Sequence, residues 1–345
     1  MLNGVPRILI VRLSAIGDVV RVLPALHALR DRYPNAQIDW AVEPKSQDVI
    51  SDHPMLDQVL VYEREEGFVE GAKKFREFCR VVKGNRYDIV VDFHGLFKTG
   101  LIMRASRAKR RICFAPPRAQ EMSHLFGNER VSLVSGRMNR VEENLELCKE
   151  LDAKRHTLDV IIAIPEAVQD GIDDYIADEF HGDKDIINVH VPVDRKEKQW
   201  PLSHYAALVD MLLSDGRFEV LLTRGPGQES LVEEVLSLAR RKPHVAPETP
   251  DLKHYAALVQ HCALYVGGDT GPMHIAAAMG TPVLAIFGGT SPEKHGPMQQ
   301  PARVLYKGPK NLDRHLGVDE ARPFLEAIAP EEVYDTCIEM LFGKK

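Results

Sequence analysis

Cysteine is scarce in this chain, and the cysteines present are poorly spaced for joint chemistry. Only 5 of the 345 residues are cysteine, and no two of them have CxxC spacing. This pattern argues against disulfide scaffolds and zinc sites, and it favours a reduced, cytoplasmic protein. Long apolar runs are also missing, since none approaches the ~20 residues that a membrane span needs. A strand is predicted from residue 7 with no signal peptide before it, so we expect any membrane contact to be peripheral.

Several ligand-binding signatures are absent as well. There is no GxxxxGK[ST] phosphate loop, and the missing GxGxxG after the first predicted strand argues against a nicotinamide dehydrogenase. The formal net charge of −6 provides no overall basic field for nucleic acid. The DKD at 183–185 has DxD spacing but precedes a strand, and no His/Cys/Asp cluster with metal spacing occurs elsewhere. We therefore predict neither a metal ion nor nucleic acid as a ligand.

What the chain does have is a regular alternation of short apolar runs and amphipathic segments. Its content of 44% hydrophobic and 27% charged residues is typical of a globular protein. Strands that alternate with helices predict parallel sheets covered by helices. A helix is predicted over 19–33, where Pro24 either kinks it or marks its true start, and mobile loops are predicted over 118–140. The predicted strands cover residues 7–12, 37–42, 58–62, 87–92, 112–114, 157–164, 185–191, 218–223, 245, 264–266, 283–287 and 303–306.

This alternation occurs twice, which predicts an α/β protein of two domains. The length also favours two domains over one. Because Pro165 ends one predicted strand, we place the boundary there and predict Rossmann-like, doubly wound domains at 1–165 and 166–345. The second domain closes with a helix at 330–342. Ligands of such sheets bind outside the carboxyl ends of the strands, and two domains that face each other would form one cleft.

Residues 265–282 have the pattern of an anion site. Apolar residues run into a double glycine, a short polar turn follows, and a helix of small residues leads to the next strand. The turn exposes backbone N–H groups where the helix begins, and the helix dipole favours an anion there. Glycines allow a diphosphate to approach, and Thr270 can donate a hydrogen bond to it. The alternative is a tight turn in which Asp269 or Thr270 only caps the helix.

Charged residues follow other predicted strands. Asp18 lies in a turn flanked by apolar residues, where a carboxylate could have a raised pKa and act as a general base; the alternative is a helix N-cap. Lys198 belongs to a charged turn whose cations suit a departing diphosphate. Glu229 could accept hydrogen bonds from ribose hydroxyls, as an acidic residue does in dinucleotide folds. Its alternative role is that of an ordinary acid in the first turn of a helix.

Basic residues form two groups in the first half of the chain. Residues 63–83 include Arg64, Lys73 and Lys74, and a second cluster spans 104–111. The simplest interpretation is a solvated helix face. The alternative is a basic edge that binds an anionic acceptor. Lys98 would either belong to that edge or simply be solvated.

Two of these stretches together resemble the ADP-heptose:lipopolysaccharide heptosyltransferases of glycosyltransferase family 9. They are RLSAIGDVV at 12–20 and DTGPMH at 269–274. The resemblance continues in order along nearly the whole chain, through residues 23–26, 39–43, 92–98, 198–201 and 225–229. The stretches at 39–43 and 92–98 look most like the heptosyltransferase I branch.

The resemblance implies a GT-B fold and a cytoplasmic enzyme that contacts the inner face of the inner membrane peripherally. The implied reaction moves L-glycero-D-manno-heptose from ADP-heptose to a Kdo sugar of Kdo2-lipid A, with inversion at the anomeric carbon. It needs no metal, and no cofactor apart from the donor substrate.

Site residues are also implied by the resemblance. Asp18 matches the catalytic base, Lys198 a lysine that contacts the donor phosphates, and Glu229 an acid that holds the ribose. The residues that match the donor loop and its following helix are Asp269, Thr270, Gly271 and His274. The candidates for the carboxylates and phosphates of the acceptor are Arg64, Lys73, Lys74 and Lys98, together with the basic cluster at 104–111.

One segment departs from the family's pattern. Many members have glycine or small hydroxyl residues after the strand that ends near His190, whereas this chain has VPVD at 191–194. Asp194 is an unexpected neighbour for a diphosphate. Three alternatives stay open: heptosyltransferase II or a member that uses another sugar, a nucleotide-sugar 2-epimerase, and an inactive binding protein for ADP-sugars.

Overall fold

Two compact units make up the chain, one spanning Met1–Ala163 and the other Ile164–Lys345. The computed structural model describes residues 5–65, 67–155 and 157–343. The outer ends of the two predicted domains, with Glu66 and His156, therefore lie outside the described residues. Each unit contains one six-stranded sheet. Pro165, where the sequence places the boundary, is the N-cap of the first helix of the second unit.

The sheet of the first unit is entirely parallel, with strand order β3-β2-β1-β4-β5-β6. Its central strand β1 pairs with β2 on one side and with β4 on the other, where Val11 lies opposite Ala41 and Asp92. The chain therefore reverses its direction across the sheet between β1 and β4. The strands are β1 (Arg7–Val11), β2 (Gln37–Val42), β3 (Gln58–Val61), β4 (Ile89–Asp92), β5 (Arg110–Phe114) and β6 (Glu129–Val131).

Helices of the first unit follow the strands in the expected alternation. The helix predicted over 19–33 is two helices, and Pro24 marks the start of the second one. The loops predicted over 118–140 contain β6 and a 3₁₀ helix, Ser123–Phe126. The sequence missed β6 because its three residues lie at a sheet edge and two of them are charged. The helices are α1 (Ile16–Val20), α2 (Leu23–Arg32), α3 (Pro44–Gln47), α4 (Phe68–Gly84), α5 (Phe97–Ala105) and α6 (Arg140–Lys149).

The second unit repeats this topology, with strand order β12-β11-β10-β7-β8-β9. Here the chain reverses between β10 and β7, which are hydrogen-bonded neighbours. The strand predicted over 157–164 is wrong, because no residue from 157 to 165 has strand structure. Alternating polarity favours a strand only if a neighbouring strand is available to pair with it. The strands are β7 (Asp185–His190), β8 (Phe218–Thr223), β9 (His244–Val245), β10 (Leu264–Gly268), β11 (Val283–Phe287) and β12 (Ala302–Tyr306).

Helices cover both faces of this second sheet, and α14 closes the unit as predicted. Cys337 of α14 is fully buried in the same apolar cluster as Trp200, Leu222 and Val266. A 3₁₀ helix, Lys196–Lys198, follows β7. The α-helices are α7 (Glu166–Glu179), α8 (Leu202–Asp215), α9 (Glu229–Leu238), α10 (Leu252–Gln260), α11 (Gly271–Ala278), α12 (Pro292–His295), α13 (Val318–Glu326) and α14 (Pro330–Phe342).

Apolar burial along the strands explains why these elements form. Ile8 to Val11 are fully buried, and so are Val283 to Phe287. A strand covered on both faces needs such a continuous apolar run, and each fully buried Leu, Ile or Val side chain contributes about 1.5–3 kcal/mol. All five cysteines are free thiols. None of the helices in the described part of the chain is both long and apolar enough to cross a membrane.

Candidate active site

The predicted catalytic residues lie at the point in each sheet where the strand order reverses. In the first unit, Asp18 follows β1 and His94 follows β4. In the second unit, Lys198 follows β7 and Asp269 follows β10. Loops diverge at such a reversal and leave a crevice at the carboxyl ends of the strands, which is where doubly wound sheets bind ligands.

Asp18 lies in the first turn of α1, and its carboxylate is held between two arginines. Arg12 forms an ion pair with one oxygen, and Arg21 Nη2 lies 3.2 Å from the other. The N-cap of α1 is Ala15, so Asp18 does not occupy the capping position. The sequence predicts an apolar surrounding, whereas the two guanidinium groups favour the ionised carboxylate. The side chain of Asp18 is 31% exposed, so its carboxylate is accessible from solvent.

Arg12 is a fixed cation whose importance the sequence analysis missed. Its side chain is buried, and Nη1 donates a 2.9 Å hydrogen bond to the carbonyl of Phe93 after β4. Trp40 Nε1 of β2 donates to the carbonyl of Arg12 at 3.1 Å. Burial lowers the pKa of Arg12 to about 10, although Asp18 opposes that shift, so the guanidinium stays charged at neutral pH. A charged residue directly after a buried strand is the signal that could have identified it.

His94 supplies a neutral imidazole beside this ion pair. Its Nδ1 accepts a 3.2 Å hydrogen bond from the backbone N–H of Leu13. Burial, and then the charge of Arg12, lower the pKa of His94 to about 3. The ring is therefore uncharged at neutral pH and cannot serve there as a cationic acid.

Other charged residues complete the carboxyl edge of the first sheet. Lys98 donates a 2.6 Å hydrogen bond to Glu43, which follows β2, and its ammonium lies 5.1 Å from the centroid of the Tyr62 ring. Arg118, which follows β5, forms a 2.7 Å ion pair with the buried Glu143. This edge therefore combines the partly exposed carboxylate of Asp18 with several cations that are anchored by ion pairs.

The double glycine of the second unit permits a close approach of two loops. A Cβ atom on Gly268 would lie 2.6 Å from Cγ1 of Val193, and one on Gly267 would lie 2.5 Å from the hydroxyl of Tyr265. Only glycine lets the loop after β7 pack directly against the end of β10. The VPVD segment that departs from the family's pattern thus contributes Val193 as a packing residue.

Lys198 and Asp269 form a buried ion pair at the start of α11. Lys198 Nζ lies 3.0 Å from Asp269 Oδ2 and 3.1 Å from its carbonyl oxygen. Thr290 donates a 2.7 Å hydrogen bond to the same carboxylate oxygen. Burial raises the pKa of Asp269, but the positive charge of Lys198, two neighbouring histidines and the hydrogen bond from Thr290 together outweigh that effect and hold the pKa below its usual value. Asp269 therefore stays ionised and orients Lys198. The unexpected Asp194 lies farther away, with its carboxylate 3.7 Å from Nζ.

Thr270 and Gly271 place a helix N-terminus beside this lysine. Thr270 is the N-cap of α11, and its side chain makes no capping hydrogen bond. The predicted alternative, in which that hydroxyl only caps the helix, is therefore not what the structure contains. The first N–H groups of α11 have no partner within the helix and suit an anion. His274 is buried one turn farther along α11.

Two histidines near Asp269, His295 and His315, are absent from the sequence prediction, whereas Arg195 belongs to the predicted charged turn that contains Lys198. Arg195 Nη1 lies 3.2 Å from Nδ1 of His315, whose ring meets that of His295 edge to face at 5.7 Å. Burial, followed by the charges of Arg195 and Lys198, lowers the pKa of His315. The charge of His295 acts on Asp269 as well. A basic residue shortly after a predicted strand was the available signal for His295, which follows β11.

Glu229 begins α9 and is open to solvent. Its Oε1 accepts a 3.2 Å hydrogen bond from the N–H of Gly227 and lies 3.7 Å from Arg224 Nε. Its own backbone N–H, and then that of Gly227, lower the pKa of the carboxyl group. This geometry matches an acid in the first turn of a helix. The side chain is 46% exposed, so a ligand can still reach it.

The four predicted acceptor-binding residues lie in different surroundings. Arg64 and Lys73 are exposed after β3 and on α4. Lys74 faces Glu63 and Glu65 at 3.4 and 4.0 Å. Of the four, only Lys98 contacts residues that end the strands beside Asp18. Within the described residues, no group of three or more His, Cys, Asp or Glu side chains could hold a metal ion.

Comparison with known proteins agrees with this architecture. The sequence profile of glycosyltransferase family 9 (heptosyltransferase) matches residues 75–315. Lipopolysaccharide heptosyltransferase 3 of Escherichia coli K12 is 25% identical over 92% of this chain and 93% of its own length. Lipopolysaccharide heptosyltransferase 1 of Salmonella typhimurium is 27% identical over 83% of this chain and 89% of its own.

Solved structures show the same fold. A family 9 glycosyltransferase from Veillonella parvula superposes with a TM-score of 0.84 at 22% identity, covering 99% of this chain and 98% of that one. E. coli heptosyltransferase WaaC with ADP-2-deoxy-2-fluoro heptose gives a TM-score of 0.74 at 22% identity, covering 96% and 99%. The predicted fold class, α/β of the GT-B type with two doubly wound sheets, is confirmed.

Proposed function

Because this chain belongs to glycosyltransferase family 9, the heptosyltransferases, we propose that it transfers L-glycero-D-manno-heptose from ADP-heptose to a Kdo sugar of Kdo2-lipid A. The recognised family and the glycosyltransferase class are confirmed, and the choice of sugar and acceptor is the proposal. The main observation in support of this proposal is the ion pair of Lys198 and Asp269 at the start of α11. The Lys198 ammonium lies 3.0 Å from the Asp269 carboxylate, which orients it. A cation and a helix N-terminus at a sheet reversal suit a sugar diphosphate.

The donor would bind through the second unit. Lys198 and the first N–H groups of α11 contact the two phosphates, with the Thr270 hydroxyl as a further donor. Glu229 accepts hydrogen bonds from the ribose hydroxyls. The solved relative that contains a fluorinated ADP-heptose supports this choice of donor.

Transfer would proceed by a single displacement. Asp18 removes the proton from the attacking Kdo hydroxyl, whose oxygen forms a bond to the anomeric carbon while the bond from that carbon to ADP breaks. Attack from the face opposite the leaving group inverts the configuration, as in inverting glycosidases. Arg12 and Arg21 keep Asp18 ionised before the reaction. Lys198 and the α11 N-terminus stabilise the charge that develops on departing ADP, so we propose that no metal is needed.

The acceptor is assigned from this chain's own residues, since relatives named heptosyltransferase 1 and 3 both match it. We assign Kdo2-lipid A because the stretches at 39–43 and 92–98 resemble the heptosyltransferase I branch. Lys98 lies next to the residues around Asp18 and is the strongest candidate for an acceptor carboxylate. Arg64, Lys73 and Lys74 would meet more distant anionic groups of the acceptor. A lipid-anchored acceptor requires the protein to work at the inner face of the inner membrane.

Mass analysis of the products tests this proposal. The protein is mixed with ADP-heptose and either Kdo2-lipid A or the heptosylated form of that lipid. Addition of one heptose to Kdo2-lipid A alone supports the proposal, whereas reaction only with the heptosylated lipid assigns the heptosyltransferase II acceptor. Consumption of donor without any acceptor would indicate a 2-epimerase. Binding of ADP-heptose with no turnover would indicate a protein that binds the ADP-sugar without catalysing transfer.

A further inference from the structure

A basic cleft separates the outer surfaces of α4 and α5, away from the residues around Asp18. It has a volume of about 420 Å³, and its floor includes Cys79, Leu101 and Ala105. The other lining residues are all cations: Arg76, Arg80, Lys83, Arg104 and Arg107. A cleft with five positive charges and an apolar floor suits a phosphate-bearing ligand.

Among the described residues, no carboxylate lines the cleft, and none of the five side chains forms an ion pair. All five are exposed. Arg107 also has φ of 57°, a left-handed conformation that is uncommon for residues other than glycine, asparagine and aspartate. Repulsion among unpaired cations is relieved when an anion binds between them.

Exposed apolar residues continue the same surface along α4. Val69, Arg76, Arg80 and Lys83 are spaced at i, i+7, i+11 and i+14, which places them on one face of the helix. Phe68 is 93% exposed and Val69 is 69% exposed at the start of that helix. Binding of a small soluble anion would not require an exposed phenylalanine. Binding to a bilayer surface would, because apolar side chains insert at the interface while Lys and Arg contact the lipid phosphates.

The formal charges of the two units also favour membrane contact through the first unit. Residues 1–163 contain 26 Lys and Arg against 22 Asp and Glu, a formal charge of +4. Residues 164–345 contain 18 against 28, a formal charge of −10. An anionic membrane would therefore attract the first unit and repel the second.

We propose that the α4–α5 face, defined as the cleft residues together with Phe68 and Val69, docks the protein on the anionic head groups of a lipid bilayer. The inference rests on the proposed function, which requires access to a lipid-anchored acceptor. It identifies a surface other than the acceptor site. The cleft uses the later parts of α4 and α5, and Arg104 lies about 9 Å along the helix axis from Lys98. The apolar start of α4 lies after β3, toward the edge of the sheet that carries Asp18.

Sedimentation with vesicles tests the docking face without any sugar donor. The full-length protein is mixed with vesicles of phosphatidylglycerol and phosphatidylcholine, or of phosphatidylcholine alone. We expect binding only to the anionic vesicles, and weaker binding as salt is raised. The variant Arg76→Gln/Arg80→Gln/Arg104→Gln should bind on the order of 100-fold more weakly, because each basic residue near an anionic surface contributes about fivefold. Phe68→Ser should weaken vesicle binding while leaving binding of soluble inorganic polyphosphate unchanged.

A matched triple variant controls for the loss of three charges. Arg240→Gln/Lys242→Gln/Lys310→Gln neutralises three exposed cations of the second unit and should bind vesicles like the wild type. The docking proposal is overturned if wild type ignores anionic vesicles, if both triple variants behave alike, or if the cleft binds polyphosphate or RNA but not vesicles. Transfer to detergent-dispersed Kdo2-lipid A is measured separately. Its failure alone refutes the proposed function, and failure of vesicle binding alone refutes only the docking face.

Discussion

Replacing Lys198 by methionine should destabilise the second unit through the carboxylate that it leaves behind. The side chains of Lys198 and Asp269 are only 12% and 5% exposed. Removing one partner of such a pair leaves an uncompensated buried charge, which costs about 3–5 kcal/mol. Thr290 still donates to Asp269, so we expect the lower end of that range. For a unit of this size, about 3 kcal/mol corresponds to a fall of roughly 10 °C in apparent Tm.

The double variant Lys198→Met/Asp269→Asn separates charge from packing. It removes both charges, so most of the lost stability should return, although activity should not. Lys196→Met is the matched control, since Lys196 is an exposed neighbour in the same 3₁₀ helix, and its Tm should stay close to that of the wild type. Thermal unfolding followed by circular dichroism measures all three variants beside the wild type.

The pH dependence of the stability penalty, which is the unfolding free energy lost in Lys198→Met, gives a second measurement. In the wild type, the pKa of Asp269 is depressed in the folded state. Its contribution to stability is therefore present above the unfolded pKa and is lost as pH falls through the folded one. Without Lys198, the largest of the effects that oppose burial is gone, and we expect the folded pKa of Asp269 to rise above the unfolded value. The penalty should then be largest at neutral pH and shrink as acid protonates Asp269. A penalty that is the same at every pH, or a double variant as unstable as the single one, would refute this reasoning.

Three further predictions address the base, the double glycine and a buried histidine. Asp18→Asn should abolish turnover while ADP-heptose still binds with wild-type affinity by calorimetry; near-normal turnover would remove Asp18 from its role. Gly268→Ala should cost about 1–3 kcal/mol in urea denaturation because its new methyl group overlaps Val193, whereas Gly171→Ala, inside α7 with open space around it, should gain about 1 kcal/mol; equal effects would contradict the packing argument. Burial lowers the pKa of His190 to about 3, so the unfolded chain binds its proton first and stability should fall as pH drops from about 6.5 toward 3. His190→Asn should reduce the dependence of the unfolding free energy on pH by about 1 kcal/mol per pH unit. An unchanged pH dependence in acid denaturation would show that another group is responsible.

Local sequence patterns predicted the elements of the core well and the surface elements poorly. The strands at 37–42, 218–223 and 283–287 have the predicted bounds, because each contains a run of at least three consecutive apolar residues that are fully buried. The edge strand β6 has no such run and was missed. The strand predicted over 157–164 had the right alternation but no partner strand. These errors have one cause, which is that pairing is not encoded in the residues of a single strand.

The sequence by itself determined the fold class, the repeated doubly wound topology and the family resemblance, because apolar periodicity and short motifs are local properties. Only the tertiary structure decided which charges meet. Lys198 and Asp269 are 71 residues apart, and they pair because β7 and β10 are neighbours in the sheet. Asp18 lies beside Arg12 for a similar reason, since the buried Arg12 is anchored to the residue that follows β4. Coulomb energies depend on separation in space and on burial, and both are set by strand order, which a linear sequence does not display.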